Sequence, residues 1–127
     1  MTKREKFKLK KLEEKDLEPV LKWRNSDRVR ANMFSDHIIS WEEHLRWFKR
    51  IQEKDDVSYY ICELGQLPIG VVYFTEIDWD DQTSLWGFYV GELQFPLPLG
   101  AYIEFLALDY AFETLMLRKL SCQVFNF

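Results

Sequence analysis

Between Ser58 and Gly91, three strand-length runs rich in β-branched and aromatic residues follow one another with only short turns between them. That spacing points to an antiparallel meander. Ser58-Tyr59-Tyr60-Ile61-Cys62-Glu63-Leu64 and Pro68–Ile77 flank the turn Gly65-Gln66 and read as a hairpin. A second turn at Asp78–Gln82 leads into the third run, Thr83–Gly91.

The flanking segments supply the remaining elements. Phe7, Leu9 and Leu12 among lysines predict a half-buried strand over 6–12. Leu17, Val20, Leu21 and Arg24 predict a helix over 15–24, and Ser26 caps a short one over Asp27–Asn32. Phe34–Ile39 reads as a loop. Ser40-Trp41-Glu42-Glu43 is a capping box, in which the serine hydroxyl and the Glu43 carboxylate satisfy backbone donors reciprocally. The helix it opens runs to about Glu53, with Trp41, His44, Leu45, Phe48 and Ile51 on one stripe. Pro96 and Pro98 force a connection between Glu92 and Gly100. A helix from Ala101 to about Leu117 is apolar on most sides, so it is expected to be largely buried across the sheet, before a last strand over Lys119–Phe125. The class is α+β, in one domain spanning residues 1–127.

Composition narrows the function. A hydrophobic content of 47%, with 21 aromatic residues, argues against disorder. A net charge of −4 argues against a sequence-independent nucleic-acid partner, whose affinity rests on phosphate neutralisation. Residues 1–30 nevertheless carry 11 Lys/Arg against 6 Asp/Glu, which suits either an anionic ligand or a solvated basic strand. No run is long and apolar enough for a membrane span, and the N-terminus lacks a secretory signal, so a cytoplasmic location is expected. Cys62 and Cys122 lack ligand spacing and read as buried, reduced thiols. The carboxylates of Glu76–Asp81 lack the glycine and terminal glutamate of a calcium loop, so no metal is expected.

This element order, together with Trp23-Arg24-Asn25, Trp86-Gly87-Phe88-Tyr89-Val90-Gly91 and Ala107-Leu108-Asp109-Tyr110-Ala111-Phe112, resembles the GCN5-related N-acetyltransferases (GNAT). Within that superfamily the chain is most similar to the ribosomal-protein N-acetyltransferase branch. It is closest to the enzymes that acetylate UDP-4-amino-4,6-dideoxy-N-acetyl-β-L-altrosamine in pseudaminic acid biosynthesis, on the early Trp-Arg-Asn and the Glu42–Phe48 helix. The resemblance implies an acyl-CoA N-acyltransferase fold: a mixed, mostly antiparallel sheet with helices on both faces, truncated after the fifth strand. It also implies acetyl-coenzyme A as cosubstrate. The backbone of Phe88, Tyr89 and Val90 would hold the pantetheine arm like an added strand. Leu99, Gly100 and Ala101 would open a helix N-terminus suited to a pyrophosphate, and Gly100 before a helix is otherwise an ordinary element boundary. Against the family loop Gln/Arg-x-x-Gly-x-Gly/Ala, this chain has Phe95-Pro96-Leu97-Pro98-Leu99-Gly100. Only the final glycine matches, and the two prolines remove up to two N–H donors.

Amide formation from a thioester needs a neutral amine, a proton acceptor and donors for the carbonyl oxygen. His44 is one candidate acceptor, or else a histidine packed among Trp41, Leu45 and Trp47; Glu76 is the carboxylate alternative, or else a surface residue. Trp23, Arg24, Asn25, Arg30 and Met33 match the part of the family that walls the acceptor pocket. There Arg24 or Arg30 would pair with a diphosphate and Trp23 would stack on uracil. Core packing for Trp23 and a surface ion pair for Arg30 are the plain alternatives. Thr83, Ser84 and Trp86 would flank the acetyl group.

Family members continue through an asparagine-containing turn, whose start Asn126 matches, into a helix with the usual tyrosine acid and a closing hairpin. About the final quarter of the fold is thus expected to be missing. Either the chain is a fragment, or a second copy covers that surface. The leading expectation is acetyl transfer to the 4-amino group of a UDP-linked sugar. The alternatives are a protein N-terminal amine as acceptor, or a catalytically silent fragment that binds a ligand or self-associates.

Overall fold

The computed structural model describes residues 7–31, 37–91 and 99–121. Met33, Pro96, Pro98, Cys122 and Asn126 therefore lie outside the described residues.

Five strands form one sheet in the order β1 (Phe7–Lys11), β2 (Ser58–Leu64), β3 (Leu67–Asp78), β4 (Thr83–Val90) and β5 (Lys119–Ser121). Every pair is antiparallel except β4–β5, which is parallel. This is the meander and mixed sheet expected from the sequence, with helices on both faces. The helices are α1 (Leu17–Arg24), α2 (Asp27–Arg30), α3 (Trp41–Gln52) and α4 (Leu99–Glu113).

Period-two alternation sorts the strand residues into two cores. Tyr60, Cys62, Val72 and Phe74 meet Ile103, Ala107 and Ala111 of α4 on one face. Ile61 and Val71 meet Leu17 and Val20 of α1, with Trp47, Phe48 and Ile51 of α3 packed beside them, on the other. Burying each large apolar side chain contributes about 1.5–3 kcal/mol. Burial also pushes the Cys62 thiol up to about 12, which leaves it a packing group.

Local signals set the helix starts. Ser40 Oγ accepts from the Glu43 N–H at 3.2 Å, and Glu43 accepts from the Ser40 N–H at 3.4 Å, completing the capping box. Ser26 Oγ likewise accepts from Val29 N–H at the start of α2.

Three boundaries differ from the sequence reading. The first helix is preceded by a separate 3-10 turn at Glu14–Asp16, where the Asp16 carboxylate takes the Glu13 N–H and Lys10 Nζ. The second helix closes at Arg30, with Ala31 N–H on Asp27 O. The last helix ends at Glu113 rather than Leu117, because Met116 adopts a left-handed φ of 58° and the Leu117 N–H returns to Ala111 O. That helix is also buried on one face only. The sheet covers Leu99, Ile103, Ala107 and Ala111, and leaves Phe105 and Phe112 on the outer side exposed.

Candidate active site

The site is organised by β4. Its register against β3 pairs Val71 with Tyr89 and Tyr73 with Gly87, and the Gly91 N–H bonds Ile69 O at 2.7 Å. Hydrogen-bonded positions alternate along an antiparallel pair. Gly87, Tyr89 and Gly91 therefore turn their peptide groups toward β3, while Trp86, Phe88 and Val90 turn theirs to the outer edge. β5 takes that edge only at Thr83–Leu85. Among the described residues no strand covers it from Trp86 to Val90. Of the three backbones expected to hold a pantetheine arm, Phe88 and Val90 thus face outward. Tyr89 does not, because its peptide groups belong to the β3 ladder.

The first turn of α4 lies on the face of the sheet that carries Trp86, Phe88 and Val90, with Leu99 in the same core. Gly70 makes the close approach possible, since a Cβ there would stand 2.7 Å from Tyr89 O and 2.8 Å from Ile103 Cδ1. Leu99 is buried as the anchor, Ala101 is exposed, and a Cβ on Gly100 would meet nothing within 4 Å. No acidic residue occupies that turn. An anion is favoured there by the unpaired N–H groups and the helix dipole. Outward peptide groups followed by an open, carboxylate-free helix start fit the arm and diphosphate of coenzyme A.

On the opposite face α1 and α2 close over the end of β4. The Trp23 indole lies against Gly91, and Arg28 Nη2 donates to Val90 O. Asn25 is a clamp: its Nδ2 donates to Ile39 O at 2.9 Å and its Oδ1 accepts the Ile39 N–H at 2.8 Å, holding the segment before α3. Arg30 donates from Nε to Asn25 O at 3.2 Å and from Nη2 to Asp27 at 2.6 Å, so the surface ion pair weighed from the sequence is formed. The guanidinium of Arg24 lies near enough to Tyr59 and Tyr89 to favour their ionised forms. Burial outweighs it and pushes both phenols upward, so they remain hydrogen-bond donors at neutral pH.

A row of rings crosses this face. His44 stacks on Trp47 at 5.3 Å, Trp47 meets Tyr59 edge-on at 4.9 Å, and Tyr59 stacks on Tyr73 at 5.3 Å. The Tyr73 phenol rests on Gly87 of β4. His44 therefore occupies the far end of the row, buried, with Nε2 2.9 Å from Leu17 O. Desolvation lowers its pKa, only partly offset by that hydrogen bond, so the ring is neutral and donates to the carbonyl. The structure thus places His44 in the packed setting weighed as its alternative.

The other two reaction candidates sit near the start of β4. A bulge lies in β3 between Thr75 and Asp78, and Glu76 on it is exposed with φ 49°. Ser84 is buried, its Oγ 3.0 Å from Thr75 O and 2.6 Å from Leu85 O, which fixes the bulge. Trp86 and Phe88 stack at 5.8 Å on the α4 side. The structure thus gathers Trp23, Arg28, Val90 and Gly91 at one end of β4, and Glu76 and Ser84 at the other. Tyr59, Tyr73 and Arg28 were not singled out from the sequence. Strand parity alone would have placed both tyrosines on the α3 face.

This sheet, with its parallel β4–β5 pair and an edge that no described strand covers from Trp86 to Val90, has the frame of an acyl-coenzyme A transferase. The chain belongs to the GNAT acetyltransferase family, whose acetyltransferase domain matches residues 6–126. Two curated relatives, both acetyltransferase PseH of Campylobacter jejuni, are 28% and 27% identical over 116 residues, which is 91% of this chain and 70% of each relative. The solved structure of C. jejuni N-acetyltransferase PseH superposes with a TM-score of 0.71 at 25% identity, covering 95% of this chain and 77% of that one. Spermidine N-acetyltransferase from Vibrio cholerae, in complex with CoA and spermine, superposes with a TM-score of 0.86 at 21% identity, covering 94% and 72%. The chain is an acetyltransferase. Among the described residues no helix is long and apolar enough to cross a membrane.

Proposed function

We propose that this chain transfers an acetyl group from acetyl-coenzyme A to the 4-amino group of a UDP-linked amino-deoxy sugar by direct attack. The observation that carries the acceptor class is the wall at the end of β4. Arg28 stands there beside Trp23, with Arg24 on α1 and Arg30, paired with Asp27, on α2. Guanidinium groups suit an anionic nucleotide diphosphate and repel a polyamine, and an indole suits a base. The resemblance of the Trp23-Arg24-Asn25 and Glu42–Phe48 segments to the pseudaminic acid enzymes supports the same acceptor, whereas the V. cholerae neighbour shares the fold and is named for spermidine.

Acetyl-coenzyme A, when bound, supplies an acyl carbon activated as a thioester. Phe88 through its outward peptide groups and Val90 through its N–H would hold its arm, since Val90 O already accepts from Arg28; Trp86 would border the acyl end, and the start of α4 with Leu99, Gly100 and Ala101 would take the diphosphate. The amine nitrogen would form the new C–N bond as the C–S bond breaks and coenzyme A leaves as its thiolate; the amine proton would pass through water to Glu76, and the thiolate would take a proton from solvent. Glu76 is preferred to His44 because it is exposed at the acyl end of β4, while the His44 Nε2–H is spent on Leu17 O.

Purified protein with acetyl-coenzyme A and a panel of acceptors tests this reading by release of free thiol. Turnover on a UDP-4-amino sugar well above that on a peptide N-terminus or spermidine is expected. Preference for spermidine would overturn the acceptor assignment, and silence with every acceptor at saturating cosubstrate would overturn the reading as a whole.

A further inference from the structure

Arg28 stands where the acceptor wall meets the cofactor edge. It is the second residue of α2, and its Nη2 donates to a carbonyl 62 positions away, Val90 O. By the register of β4, that carbonyl is the last outward-facing acceptor on the strand. The next residue along the strand, Gly91, is covered by Trp23. Arg28 therefore brings a permanent positive charge to the point where anything lying along the edge must leave it.

The following step rests on the coenzyme A reading above. An arm whose thioester lies at Trp86 carries two amides before its diphosphate, so it passes Phe88 and leaves the strand at Val90. The segment that leads into α4, Phe95-Pro96-Leu97-Pro98-Leu99-Gly100, contains no lysine or arginine, and its two prolines have no N–H to offer. A guanidinium is a planar fork able to serve a backbone oxygen and a phosphate oxygen at once.

We propose that Arg28 is a binding residue for the diphosphate of coenzyme A, bridging it to Val90 O. α2 would thereby supply a cation that the composition of the segment leading into α4 does not offer. One consequence is that the acceptor wall and the cofactor edge share a side chain.

Calorimetric titration with two ligands tests this. Acetyl-coenzyme A carries the diphosphate, while S-acetylpantetheine has the same arm without it. In R28Q, affinity for acetyl-coenzyme A is expected to fall about tenfold or more, the worth of one charge-assisted hydrogen bond, with S-acetylpantetheine changed less than twofold. R28K, which keeps the charge but not the fork, is expected to recover part of the loss, and it carries the test should R28Q fail to fold. Equal weakening toward both ligands would make Arg28 a strut for β4 and overturn the assignment, as would unchanged affinity for acetyl-coenzyme A in both variants. Wild-type protein that takes up neither ligand would overturn the coenzyme A reading together with this one.

Discussion

The indole of Trp23 occupies the space that a Cβ on Gly91 would need. Its Cδ2, Cε2 and Cζ2 all fall inside contact distance of that position, the farthest at 2.6 Å. The ring thus joins the end of α1 to the end of the cofactor strand, and only glycine permits the contact. Gly91→Ala must displace either the ring or the strand end, and overpacking of this kind costs about 1–3 kcal/mol. The urea midpoint should fall accordingly, and KM for the acceptor should rise more than KM for acetyl-coenzyme A. A Gly91→Ala variant with wild-type midpoint and fluorescence would mean that the indole has room to move.

His44 makes stability depend on pH in a defined direction. Its pKa in the folded protein is lowered from 6.5 by burial, so below about pH 6.5 the unfolded chain takes up a proton that the folded ring resists. Stability is full above that pH and declines on acidification until the folded pKa is passed. Glu43, whose pKa is lowered from 4.5 chiefly by its hydrogen bond to His37, acts at lower pH. The urea midpoint should therefore drop between pH 7.5 and 5.5 in the wild type and change less in His44→Gln. Equal slopes would exclude His44 as the source. A loss of turnover in His44→Gln far beyond its loss of stability would restore His44 as the proton acceptor.

Much of this architecture was legible because its signals are local. The capping box needs only Ser40 and Glu43, and the meander needs only alternation broken by turn residues. The coenzyme A edge was legible in part. Which of Phe88, Tyr89 and Val90 faces outward depends on the hydrogen-bonding phase against β3, which alternation of side chains does not report. Contacts between distant segments were not legible at all. Nothing near Arg28 in sequence announces Val90, and nothing around His44 announces Leu17 O. The outer face of α4 misled for the opposite reason, since an all-round apolar helix implies burial on every side and the sheet covers only one.

Tyr73 supports β4 from beneath. Its phenol ring rests on Gly87, where a Cβ would stand 2.5 Å from Cζ and 2.7 Å from Cε2, and its other side stacks on Tyr59. Gly87→Ala should therefore destabilise by about 1–3 kcal/mol and weaken acetyl-coenzyme A binding, because the strand moves off its support. Combining it with Tyr73→Ala should restore part of the binding while leaving the protein less stable than wild type. Additive losses in a double-mutant cycle would show that the two positions act independently.

Glu76 separates conformation from chemistry. A φ of 49° in a residue other than glycine costs on the order of 1–2 kcal/mol, and the bulge that imposes it is held by Ser84 Oγ on Thr75 O and by Ile77 N–H on Asp56 O at 3.0 Å. Glu76→Gly should be at least as stable as the wild type, because relief of that strain offsets the added freedom of the unfolded chain. Glu76→Val, β-branched at the same φ, should lose about 1–2 kcal/mol. Glu76→Gln keeps the shape and removes the carboxylate. If the amine proton passes to Glu76, kcat/KM at neutral pH should fall by about a hundredfold or more with the urea midpoint unchanged. Near-wild-type turnover in Glu76→Gln would reduce Glu76 to a conformational element of the bulge and leave the proton to another acceptor.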